Sequence, residues 1–157
     1  MKRFFVFLLF LTSLLWAGSA RYSSSVFYIA GDLNYYGKNV TTNSLGINFE
    51  ADIVSFHSRS IWHSLVEFNY AQGSDVSEFN VNLKYGKYLF MGIDGYLIGG
   101  FNIIGYSGEG VSEADLNYNY GIGFMYIFRK FKVSLEFIKA CTFDGYTKIK
   151  GGVGYYF

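Results

Sequence analysis

In DLNYNYGIGFMYIF, residues 115–128, large apolar side chains stand at every second position. Leu116, Tyr118, Tyr120, Ile122, Phe124, Tyr126 and Phe128 share one parity, and Asn117, Asn119, Gly121, Gly123 and Met125 share the other. A helix would scatter the first set around its whole circumference, whereas a strand places it on one face. The stretch therefore predicts a long strand with one greasy face and one small or polar face.

The alternation recurs along the chain. Apolar files are read as Phe27, Ile29, Leu33 and Tyr35; as Leu45, Ile47, Phe49 and Ala51; and as Trp62, Val66, Phe68 and Tyr70. They continue through Phe79, Val81, Leu83 and Tyr85, through Phe131, Val133, Leu135 and Phe137, and through Ile149, Val153, Tyr155 and Phe157. The segment from Gly95 to Ser107 is also a strand, but its parity stays open. Leu97, Phe101 and Ile103 suit the greasy face, which leaves Ile98 and Ile104 on the other unless a bulge shifts the register. With Leu116–Phe128 the count is eight strands. Connectors rich in turn formers (YGKNVTTN, AQGSDVS, SGEGVSEAD, CTFDGY) follow the first, third, fifth and seventh. An antiparallel meander collects them at one end and both termini at the other.

Composition agrees with an uninterrupted sheet. The chain has 19 Gly and no Pro, which would remove ladder donors; 22% of residues are aromatic and only 16% charged. Residues 1–20, MKRFFVFLLFLTSLLWAGSA, have a basic start, an apolar run and small residues at Gly18 and Ala20. This is the layout of a secretory signal peptide cleaved after Ala20, leaving residues 21–157 as one domain. Without Lys2 and Arg3 the thirteen basic residues become eleven against twelve acidic ones, so no electrostatic case for nucleic acid survives. A single Cys excludes an internal disulfide.

Two architectures accommodate an exported eight-stranded meander: a soluble lipocalin-like barrel with the apolar parity inside, or a transmembrane barrel with it outside. The second parity decides. It holds Asp32, Glu50, Asp52, Glu67, Lys84, Lys132, Glu136, Lys148 and Lys150 among many Asn and Gly. A solvated face carries fewer glycines, whereas a cramped eight-stranded lumen accepts small residues. Lipid tolerates no unpaired edge, so the sheet must close. The expected fold is all-β: an eight-stranded antiparallel up-and-down transmembrane β-barrel. Trp62, Phe128, Phe131, Tyr155 and Phe157 are expected near the end bearing the termini, and Tyr35, Tyr36, Tyr70, Tyr106 and Tyr146 near the other, as interfacial girdles.

On these features the sequence resembles the small eight-stranded outer-membrane β-barrels of Gram-negative bacteria, the OmpA/OmpX type. The resemblance rests on the signal peptide, the eight alternating strands and the ending GGVGYYF. It implies that Ile149, Val153, Tyr155 and Phe157 form a C-terminal signal read by the barrel assembly machinery. It also implies a monomer in the outer membrane, in contact with its lipids and with lipopolysaccharide.

The inner acids and lysines are expected to form a salt-bridged plug, because buried charge of one sign is costly unpaired. Lys148 and Lys150 are expected beside Asp32, and Glu67 beside Glu50 and Lys84. Such a plug leaves at best a narrow, low-conductance path. Lys139 lies on the apolar parity near the outer rim, where it can snorkel toward lipopolysaccharide phosphates. Some barrels of this kind are lipid-modifying enzymes that use Ser, His and an acid at the outer rim. Here both histidines, His57 and His63, belong at the opposite end, and His63 and Ser64 fall on opposite faces of one strand. No dinucleotide, phosphate-loop or paired-cysteine motif is present, so neither a cofactor nor a metal is expected. The sequence thus favours a non-enzymatic barrel with a structural, envelope-integrity or surface-interaction role.

Overall fold

A computed structural model of the chain describes residues 21–52, 62–108 and 111–157. The expected signal peptide lies outside the described residues, as does His57. Eight strands follow in order: β1 (Tyr22–Tyr35), β2 (Lys38–Asp52), β3 (Trp62–Gly73), β4 (Val76–Phe90), β5 (Ile93–Gly108), β6 (Val111–Phe128), β7 (Phe131–Ala140) and β8 (Tyr146–Tyr156). Each pairs antiparallel with the next, and β8 pairs with β1 from Ser23↔Tyr156 to Leu33↔Tyr146, so the barrel closes without an edge. The first and last described residues, Arg21 and Phe157, sit at one end, hereafter proximal; the other end is distal.

The outward parity of β2, β4 and β6 to β8 is as read from the sequence, and the structure decides that of β5. Leu116, Ile122 and Phe124 on β6 are 68%, 48% and 43% exposed, although all are apolar. Such a continuous exposed band is far beyond what a soluble surface carries, and it fits a lipid-facing wall. On β5, Leu97, Phe101 and Ile103 point out while Ile98 and Ile104 are buried inside, with unbroken pairing to β4 and β6 over this stretch. The one register irregularity in the β4–β5 pair falls at Tyr88/Phe90, near the proximal end.

β1 is the exception. Phe27, Ile29 and Leu33 are buried inside, while Val26 and Tyr28 are more than half exposed outside. Both parities of this strand are apolar, so alternation alone gives no direction. The neighbours do. Phe27 is paired with Gly46 on β2 and Gly152 on β8, and its ring fills the space that a Cβ at Gly46 would need. Tyr96 is seated the same way between Gly86 and Gly123. Inward rings thus stand in slots left by glycines on the strands either side. One consequence is that Asp32 faces outward and is exposed, not part of the lumen.

Three of the four turn-rich connectors are also mostly strand, whereas CTFDGY remains a loop as far as Gly145. β1 passes to β2 through Tyr36 and Gly37, both at positive φ (46° and 80°), the conformation that matches the twist of a two-residue hairpin. β3 passes to β4 through Ser74 and Asp75 alone. Polar residues such as Thr41, Thr42 and Asn43 stay in the ladder with Asp32, Gly31 and Ala30. A polar composition signals water contact, and a paired strand above the apolar band satisfies that as well as a loop does. Tyr106 and Tyr146 likewise turn inward and are buried, so they belong to the distal interior and not to a lipid-facing girdle.

Ile122 is the middle member of the outward file on β6. Ile122→Arg is expected to destabilise the barrel in lipid vesicles by about 2–4 kcal/mol, whereas Asn39→Arg at the distal end stays within about 0.5 kcal/mol. Urea unfolding in vesicles followed by the fluorescence of Trp62 measures both.

Candidate functional site

The lumen holds four buried lysines and four buried glutamates. Lys84 on β4 lies at the centre and donates to three carboxylates: Glu50 at 2.7 Å, Glu67 at 2.5 Å and Glu136 at 2.6 Å. All three ammonium donors are thereby used. Lys150 donates to Glu67 at 2.7 Å and is ion-paired with Glu136 at 3.2 Å. Lys132 pairs with Glu50 and donates to Ser23 at 2.9 Å. Further toward the distal end, Lys148 pairs with Glu78.

Asparagine amides add further donors to Glu50, Glu67 and Glu78. Glu67 accepts from Asn48, Asn69 and Asn82 as well as from the two lysines, five donors on one carboxylate. Asn80 donates to Asn69 and Glu78 and accepts from Asn119, joining the central cluster to the Lys148–Glu78 pair. Each lysine also stands over a ring: Lys84 over Tyr96, Lys132 over Tyr156, Lys148 over Tyr146 and Lys150 over Phe27, at 4.6–5.7 Å from the centroids. Ring faces are electron-rich, so they complement the side of each ammonium that the carboxylates leave free.

Apolar clusters border the charged one. Leu33, Val76, Ile104, Tyr106, Ala140 and Tyr146 pack at the distal end, and Leu65, Tyr96, Ile98, Met125 and Ile138 pack beside the ions, Leu65 and Ile98 as cross-strand neighbours of Lys84. The distal mouth is roofed by rings, with Tyr35 4.4 Å from Tyr106 and 5.0 Å from Phe143. Glu113 accepts from the hydroxyls of Tyr35 at 2.8 Å and Tyr36 at 3.4 Å. This bond stabilises the protonated phenol, and together with the nearby negative charge it pushes Tyr35 at the aqueous rim up to about 12.

The expected charge set separates into two groups. Glu50, Glu67, Lys84, Lys132, Glu136, Lys148 and Lys150 all meet in the lumen. Asp32 does not, and Asp52 keeps the inward parity at the proximal mouth. Asp32 accepts from Thr41 at 3.1 Å on the outer wall, and Lys148 meets Glu78 instead of it. Asp52, half-buried, lines a cavity of about 280 Å³ at the proximal mouth with Arg21, Asp94 and Arg129. Glu78 was missed because it abuts the turn-like AQGSDVS. Its shared parity with Asn80 and Lys84 was the available signal. Ile149, Val153, Tyr155 and Phe157 form one outward file, and Lys139 is exposed on the outer wall, paired with Thr147. His63 pairs with Gly86 toward the proximal end.

No protein-family model matches the chain, and no curated protein matches it in sequence. Solved structures do match in shape. The attachment invasion locus protein Ail of Yersinia pestis, in complex with the heparin analogue sucrose octasulfate, is 17% identical with a TM-score of 0.64, over 88% of this chain and 99% of that one. The Neisserial surface protein A is 10% identical with a TM-score of 0.59, over the same shares. The fold is that of the small outer-membrane β-barrels. The outer-membrane enzyme PagL shares that barrel at 15% identity and a TM-score of 0.56, over 85% of this chain and 98% of that one. Identities this low carry the barrel fold across and leave the role of the barrel to its own residues.

Removing one partner from a buried ion cluster leaves uncompensated charge. Lys84→Met is expected to cost about 3–5 kcal/mol, against about 0.5 kcal/mol or less for Lys139→Met on the outer wall; paired urea titrations in vesicles test this. At the rim, a folded-state value raised above the ordinary 10.0 contributes stability below pH 10 that is lost as pH rises through 10 to about 12. Glu113→Gln is expected to bring the Tyr35 titration back toward 10, read as the absorbance difference from a Tyr35→Phe control.

Proposed function

We propose that the chain is a non-enzymatic integral outer-membrane barrel that supports envelope integrity or makes modest surface contacts. The observation that carries this reading is the filled lumen. Among the described residues, an electroneutral set of four buried lysines and four buried glutamates, cross-linked by asparagines, is packed against apolar clusters and lies beneath a roof of rings. Eight strands enclose only enough space for side chains, and here side chains occupy it. A narrow porin is the second reading, and moving a solute would require these ion pairs to part.

The enzymatic reading is weaker than the barrel shared with PagL suggests. A hydrolytic site needs a base beside its nucleophile, and both histidines belong by chain position to the proximal half. Ail is solved with a polyanionic ligand. The distal end here exposes Asp32, Asp75, Glu113 and Asp144 against Lys38 and Lys139, which does not favour a sulfated sugar.

The partners follow from the outer wall. The file Ile149, Val153, Tyr155 and Phe157 serves as the insertion signal for the assembly machinery. Lys139 contacts lipopolysaccharide phosphates, and the barrel acts as a monomer whose distal end faces outward.

The test is a cold-versus-boiled gel on outer membranes from cells expressing the full chain, followed by planar-bilayer recording of the purified barrel. A species that resists detergent cold and shifts on boiling, with no resolved conductance steps, is the expected result. Stable steps abolished by neutralising Lys84 would establish the porin, and a soluble periplasmic protein without a shift would exclude the barrel.

A further inference from the structure

The lipid-facing wall is not uniform. Two adjacent cross-strand rows cross β8, β1, β2 and β3: Tyr155, Ser24, Phe49 and Phe68 in one, and Val153, Val26, Ile47 and Tyr70 in the other. Ser24 is the smallest side chain in its row and stands between the rings of Tyr155 and Phe49, while Val26 stands between the aliphatic Val153 and Ile47. The result is a trough of about 660 Å³ on the outer surface, floored by Ser24 and Val26 and walled by Tyr155 on one side and Phe49 on the other. Phe131, paired with Tyr155, extends the first wall to β7.

The proximal end of that wall carries cations. Lys130 and Arg129 form the β6–β7 turn, both exposed. The backbone N–H of Tyr156 donates to the Lys130 carbonyl at 2.8 Å, which holds the turn against β8. The Lys130 ammonium lies 5.7 Å from the centroid of the Tyr155 ring, the same ring that walls the trough. A concave apolar trough next to a fixed cation matches a molecule with an acyl chain joined to an anionic head.

We propose that this face is a binding site for one anionic glycerophospholipid, its acyl chain in the trough over Ser24 and Val26 and its phosphate at Lys130. A second copy of the chain fits less well. Two convex walls brought together touch along their protruding rings and bypass a trough recessed between them. The inference rests on the membrane-barrel reading and adds to it a ligand class and a location.

The test uses the refolded barrel in detergent, incubated with phosphatidylglycerol or with phosphatidylcholine of identical chains, and native mass spectrometry. One phosphatidylglycerol per barrel is expected, with phosphatidylcholine retained about fivefold less. Lys130→Glu should reduce phosphatidylglycerol to the phosphatidylcholine level, and Ser24→Trp should abolish retention of both by filling the trough. Val153→Trp fills it from β8 and serves if Ser24→Trp does not fold. Gly99→Trp adds a ring to the diametrically opposite wall, where a side chain meets open space, and should retain the lipid. Equal retention by the trough-filled variants, a statistical ladder of adducts, or a dimer dissolved by Ser24→Trp would each overturn the site. A wild-type barrel without a cold-gel shift would instead overturn the membrane reading beneath it.

Discussion

Glu67 accepts five hydrogen bonds at the centre of the lumen, and the rest of the interior is arranged around that carboxylate. A buried ion survives only where attraction and hydrogen bonds offset a desolvation cost of several kcal/mol. Here the offset comes from the whole wall. Lys84 arrives from β4, Lys150 from β8, and asparagines from β2, β3 and β4. Glu50 extends the cluster to Ser23 on β1 through Lys132 on β7; Tyr96 on β5 donates to Glu136, and Asn119 on β6 to Asn80. Every strand thus contributes a polar group to one connected interior. Because side chains alternate, a one-residue slip of β2, β3, β4, β7 or β8 would turn a buried charge into lipid, so the network pins the register as well as filling the space.

Room for long lysines and rings in so narrow a barrel comes from glycine. Phe27 stands between Gly46 and Gly152, and Lys150 reaches Glu67 and Glu136 beside that ring, 4.6 Å from its centroid. Tyr96 stands between Gly86 and Gly123 and carries Lys84 at 5.3 Å while donating to Glu136. Ring, glycine pair and ammonium form a repeated unit: the glycines give up side-chain volume to the ring, and the ring supplies an electron-rich surface to the cation. The inner glycines, which at sequence level only argued for a cramped lumen, therefore mark where the large inner side chains go.

The difference between what was legible and what was not follows from the same packing. β6 and β8 announce their faces because one parity is apolar and the other small or charged. β1 does not, because Val26 and Tyr28 compete with Phe27 and Ile29, and only the glycines on the two flanking strands decide between them. Asp32 was misplaced by that ambiguity. Glu78 was passed over because its neighbours in sequence read as a turn, although the structure continues the ladder through Val76 and Ser77. Pairings between distant strands, such as Lys148 with Glu78 across the lumen, have no sequence signature; they follow from closure, which sets strands far apart in sequence face to face.

The distal end shows where recognition can and cannot reside. Its acids are engaged in holding the turns: Asp144 accepts the Gly37 N–H, Asp115 accepts the Phe143 N–H, and Glu113 anchors two tyrosine hydroxyls. Two of the turns are only two residues long, Tyr36–Gly37 and Ser74–Asp75, so they offer little area for a partner. A specific, stable protein interface buries roughly 800 Å² on each side, which turns of this length do not present. The lumen is filled and the distal rim is spent on its own stability. That leaves the wall as the surface with shape and chemistry to spare, and the wall meets lipid.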